Sequence, residues 1–142
     1  EHPKPKVGPL GRVLFMAGQL PLLPAAGIDQ TATHPASVPP SASVEYGAYM
    51  ATTCQGCHYP NMAGGPSQEP GGTPAANLTP SGALANWTLD DFKTVLRTGV
   101  TPDGVEINPE AMPWPAFQHM NDVEIEAVWL YLNSLPPALP AN

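Results

Sequence analysis

Residues 52–60 read TTCQGCHYP and hold both cysteines of the chain, Cys54 and Cys57, with His58 directly behind the second. Positions three apart on a helix lie on one face. A turn of helix here therefore points both thiols to the same side and sends the imidazole out beside them. What such a trio grips decides how the remaining chain has to fold.

Three chemistries use closely spaced cysteines. A thioredoxin-like dithiol belongs in a βαβ context, and no alternating strand pattern runs through this sequence. A structural zinc site takes four ligands, usually from two spaced pairs. Only one pair exists, and His34 and His119 are distant in sequence. Cys-x-x-Cys-His is the attachment signature of c-type haem. In that reading Cys54 and Cys57 each bond one vinyl group on a single porphyrin edge, and His58 is the proximal iron ligand. The other ring nitrogen of His58 then needs an acceptor, expected to be a backbone carbonyl at Gly65–Pro66 or near Pro70.

The sixth ligand separates a carrier from an enzyme or sensor, because a closed iron has nothing to bind or release during redox. The methionines are Met16, Met50, Met62, Met112 and Met120, and most methionines fill cores. Met112 stands out in PEAMPWPAF, a loop stiffened by prolines on both sides. Met120, His119 and an open site are the alternatives.

Composition sets the outer limits. The 142 residues suit one domain with an extension. Twenty prolines and thirteen glycines leave room for only a modest core between long irregular connections. The net charge is −7, with no basic stripe to neutralise phosphates, so nucleic acid is excluded as a partner class. Lys4, Lys6 and Arg12 lie at the start, and beyond residue 43 only Lys93 and Arg97 oppose ten acidic side chains. A partner with a basic or apolar docking face follows. The chain starts EHPKPK without methionine, which reads as a processed or truncated start and leaves an upstream membrane anchor open. The run LGRVLFMAGQLPLLPAAG is too broken to span a membrane.

Along the chain, residues 1–43 read as a proline-rich extension of polyproline II character. They serve either as a surface-wrapping linker or as a docking arm. Residues 44–137 read as the domain and 138–142 as a tail. Ser43 caps a helix running VEYGAYMATTC into the motif. Gly47 within it costs about 1 kcal/mol relative to alanine, an acceptable cost if another helix crosses there. Thr88 caps TLDDFKTVLRTG, whose Leu89, Phe92, Val95 and Leu96 form one apolar face ending at Gly99. Asn121 and Glu124 form a capping box for a last helix with Ile125, Val128, Trp129 and Leu132 inward. The expected class is all-α with long loops.

From Glu45 to Pro136 the chain resembles class I mono-haem cytochromes c. The pieces that carry the resemblance are YGAYMATTCQGCH, the glycine pair at 64–65, ANLTPSG, WTLDDFKTVLRTG, MPWPAF and NDVEIEAVWLYLNSLPP, in the family's order. The closest likeness is to cytochrome domains serving membrane-bound dehydrogenases and respiratory complexes. The resemblance implies one covalent haem c and one-electron transfer, with His58 and Met112 as axial ligands, on the periplasmic or extracytoplasmic side. It implies redox partners such as a quinol-oxidising complex, a dehydrogenase or a terminal oxidase. It also implies that the first and last helices of the domain cross at Gly47. Pro66, Asn77, Leu78, Trp87, Arg97 and Trp114 are expected at the cofactor, with Asn77, Trp87 and Arg97 as candidates to bond its propionates. Arg97 reads equally as a cation at a helix C-terminus, and Trp114 as a residue closing the core. The lysine ring of many soluble cytochromes is missing, so electrons are expected to leave through an apolar patch at Cys54, Met62 and Ala63. Two rival readings are a haem enzyme or gas sensor with a labile sixth site, and a subunit whose haem is structural.

Overall fold

The computed structural model describes residues 7–19, 28–29, 31–33 and 37–140. Expectations for Lys4, Lys6, His34 and most of QLPLLPAAG lie outside these residues. The chain divides into two units, Glu1–Ala36 and Ser37–Asn142.

In the first unit, Pro9–Met16 forms a helix, α1. This corrects the polyproline II expectation for that stretch. Pro9 sits at the start of the helix, where its fixed φ is preset for helix and its missing N–H is no loss. The seven residues after it contain no further proline. No residue of α1 is buried.

Among the described residues, the second unit carries five more α-helices: α2 (Val44–Met50), α3 (Gln55–His58), α4 (Leu89–Thr98), α5 (Trp114–Phe117) and α6 (Asp122–Ser134). Only isolated bridges, Gly65 with Ala75 and Val100 with Glu106, occur among the described residues in place of strands. The expected caps are in position. The Ser43 hydroxyl accepts from Tyr46 N–H. Thr88 and Asp91 form a full capping box, as do Asn121 and Glu124. Gly99 ends α4 at φ 71°, the left-handed conformation that glycine adopts without cost. The helix expected to run unbroken into the motif instead tightens to a 3-10 turn at Ala51–Thr53 before α3 begins.

The core joins Ala51, Met62, Leu84, Phe92, Leu96, Ile125, Val128 and Leu132. Burying side chains such as Ile125 and Leu132 contributes about 1.5–3 kcal/mol each. Phe92 of α4 packs against Trp129 of α6, ring centroids 5.5 Å apart. Helix α2 meets α6 at Gly47, where an added Cβ would strike the Ala127 carbonyl and lie 2.8 Å from Tyr131 Cβ. Only glycine permits backbone contact this close.

Candidate haem-binding site

The 3-10 turn delivers Cys54 to the start of α3. Its carbonyl accepts from both Cys57 N–H at 3.2 Å and His58 N–H at 2.9 Å, so the trio occupies one tight helical turn. The two cysteines are not joined to each other, and Cys57 is exposed while Cys54 is half-buried against the core. Burial and then the neighbouring Cys57 push the Cys54 thiol up to about 11.

His58 is buried, 8% exposed, and its Nδ1 lies 2.8 Å from the Ala76 carbonyl. A carbonyl only accepts, so Nδ1 carries the proton and Nε2 keeps its lone pair. Burial lowers the pKa of the ring, and the bond to Ala76 opposes this. Burial favours the neutral imidazole, and the Ala76 bond selects the tautomer that can ligate through Nε2.

Ala76 replaces the carbonyls expected at Gly65–Pro66 or Pro70. Behind His58 the chain reverses through Tyr59 (φ 64°), Met62 (φ 58°) and Gly64 (φ 67°). Gly65 and Ala75 then exchange backbone bonds of 3.0 and 2.8 Å, which closes the loop and brings Ala76 opposite the ring. The Pro66 carbonyl accepts from the Tyr59 hydroxyl at 2.8 Å. Nothing in the sequence flags Ala76, because its contribution is a main-chain oxygen.

The other expected residues divide. Leu78 packs against the core and its N–H donates to the Met62 carbonyl at 2.8 Å. Trp87 is half-buried and lines an open cleft with Ala83, Asn86, Thr101, Pro102, Asp103 and Val105. Asn77 is engaged at both ends of its amide: Nδ2 donates to the Ala138 carbonyl, and Oδ1 accepts from the Thr79 N–H and hydroxyl. The Arg97 guanidinium donates to the Gln118 carbonyl and to Asp122. These bonds tie the end of α4 to the segment that enters α6. Trp114 donates to the Ile107 carbonyl at 3.1 Å, and its ring fills the space a Cβ on Gly99 would need. The expected exit patch needs correction: Met62 and Ala63 are both 0% exposed, drawn inside by the turn behind His58. The exposed corner is Gly56 and Cys57.

Met112 is half-buried and packs against the same core cluster as Cys54. Its N–H donates to Asn108 and its carbonyl accepts from Trp114 N–H at 2.7 Å, so main-chain bonds hold it on both sides. Met120 also touches the cluster, whereas His119 is exposed.

These residues fit a haem c. Two thiols on one turn and an imidazole with a committed tautomer supply covalent attachment and one axial bond.

A family model described as Cytochrome c matches residues 44–136. The chain belongs to the cytochrome c family. Membership carries covalent haem c through Cys54 and Cys57, with electron transfer as the work of the group. This cytochrome is 34% identical over 112 residues to the alcohol dehydrogenase (quinone) cytochrome c subunit of Gluconobacter oxydans (strain 621H), covering 71% of this chain and 23% of that protein. It is 30% identical over 135 residues to the fructose dehydrogenase cytochrome subunit of Gluconobacter japonicus, covering 85% and 28%. Against a nicotinate dehydrogenase subunit of Pseudomonas putida it is 30% identical over 117 residues, covering 72% and 10%. This cytochrome thus spans 28% or less of the length of each of these relatives.

Proposed function

We propose that this cytochrome passes single electrons from a dehydrogenase partner to a further redox protein on the extracytoplasmic side of a membrane, with His58 and Met112 as axial ligands. The His58–Ala76 bond carries the reading, since it leaves Nε2 as the only ring nitrogen able to ligate. When bound, haem c supplies the ferric/ferrous couple. The chain attaches it through Cys54 and Cys57 and orients the proximal imidazole through the Ala76 carbonyl.

Met112 suits the sixth position because its own main-chain bonds hold a weak thioether in place. The dehydrogenase partner is supported by the names of the relatives, which are subunits of alcohol, fructose and nicotinate dehydrogenases. No helix among the described residues is long and apolar enough to cross a membrane, so membrane placement would come through the complex or an anchor elsewhere.

Met112→Ala tests the ligation. The expected result is loss of the weak far-red band of methionine-ligated ferric haem, a lower potential, and CO binding by the ferrous form. A variant that keeps both band and potential would move the sixth ligand to another residue, with Met120 the first to examine.

A further inference from the structure

The Ala76 carbonyl is fixed from two directions. On one side Gly64 packs so closely that an added Cβ would lie 2.6 Å from the Ala76 carbonyl carbon. On the other is a set of bonds to residues about sixty positions away. The Ala138 carbonyl, beyond α6, accepts from Asn77 Nδ2 at 2.8 Å and from Ser81 Oγ at 3.0 Å. The Ala138 N–H donates back to Thr79 Oγ1 at 3.3 Å. Thr79 is 0% exposed, and its hydroxyl donates to Asn77 Oδ1 at 2.7 Å. The main chain of Asn77 is held too, its carbonyl accepting from Ala83 N–H at 2.8 Å.

We propose that the tail beyond α6, acting through Thr79 and Asn77, positions the Ala76 carbonyl against His58 and so sets the donor strength of the axial imidazole. The proposal rests on His58 being the proximal ligand. A carbonyl close to Nδ1–H gives the ring partial imidazolate character, makes Nε2 a stronger donor and favours the ferric state. Asn77 follows Ala76 directly, so any swing of Asn77 moves that carbonyl. The buried Thr79 hydroxyl is the pivot. Together with the Thr79 N–H, which also donates to Asn77 Oδ1, it fixes the orientation of the Asn77 amide in which Nδ2 faces the tail. Thr79 and Asn77 are thus positioning residues, acting on the iron only through His58.

Thr79→Val keeps the volume and removes the hydroxyl, whereas Thr79→Ser keeps the hydroxyl. Both are compared with the unaltered holoprotein by the solvent exchange of His58 Nδ1–H in ferrous-state NMR and by midpoint potential. Thr79→Val should exchange about tenfold faster, the factor that weakening one hydrogen bond produces, and its potential should rise. Thr79→Ser should stay near the parent on both. A holoprotein ending at Pro137, which lacks the tail acceptor, should change in the same direction as Thr79→Val and serves if that variant does not accumulate.

Unchanged exchange and potential in Thr79→Val or the shortened chain, even with a lower melting temperature, would reduce the tail to a structural strap and overturn the proposal. Failure of His58 is distinguishable. Ring protons of His58 that show no haem ring-current shift in the parent would overturn the ligation, and the positioning role with it. Shifted protons with unaltered exchange in the variants would overturn the positioning role alone.

Discussion

Asp91 accepts from the Thr88 N–H at 2.8 Å and from the Thr88 hydroxyl at 2.7 Å, and these bonds, the hydroxyl foremost, lower its pKa. A carboxyl lower in the folded than in the unfolded chain adds stability above its unfolded pKa, about 3.9. That stability is lost as pH falls through the folded value. Asp91→Asn should therefore melt below the parent at neutral pH, and the gap should narrow in strong acid. Thermal melts by circular dichroism at both pH values check this; a gap constant with pH would show that the charge has no part in the cap. Caps of this kind are readable in sequence because both partners lie within one turn, as at Ser43, Thr88 and Asn121. The acceptor of His58 is not readable. Any residue offers a carbonyl, and the turn that delivers Ala76 runs through Tyr59 and Met62 at positive φ, conformations their side chains do not announce. The same turn buries Met62 and Ala63, so an apolar pair that reads as surface is core.

Among the elements, the crossing of α2 and α6 is the most sensitive. Gly47→Ala places a methyl against the Ala127 carbonyl, and forced overpacking costs about 1–3 kcal/mol. Denaturant unfolding should show that loss. Gly56→Ala, with open space around its Cβ position, should show none. Equal stability of the two variants would mean that the helices adjust freely. The glycine is legible because an interior helical glycine is costly without a reason. Helix α1 is hidden because prolines on either side dominate the stretch, although Pro9 stands at the one helical position that suits it. The helices that face the core, α4 and α6, announce themselves by period, since a single apolar stripe has to be covered.

At the scale of the whole molecule, the charge is segregated. Between residues 37 and 142 two basic side chains oppose ten acidic ones, a net of −8 with histidines neutral. Both cations converge on Asp122, Lys93 at 3.8 Å and Arg97 at 3.0 Å. Asp103, Glu106 and Glu110, on the loop leading to Met112, are exposed. Reduction by a small cationic complex should be faster than by an anionic one of equal driving force at low salt. The two rates should converge as ionic strength rises and the Debye length shrinks to about 3 Å near 1 M. Stopped-flow kinetics measure this, and salt-independent rates would place electron exit away from the acidic surface. The backbone contact of Gly47 with Ala127 also has a consequence in time. Its two sides stand about eighty residues apart, and a contact of such long sequence separation forms late and slowly. During synthesis α2 and the Cys54–His58 turn emerge well before α6, so the thiols wait in an open chain, and the core against which Cys54 packs is complete only once Ile125, Val128 and Leu132 of the last helix have joined it.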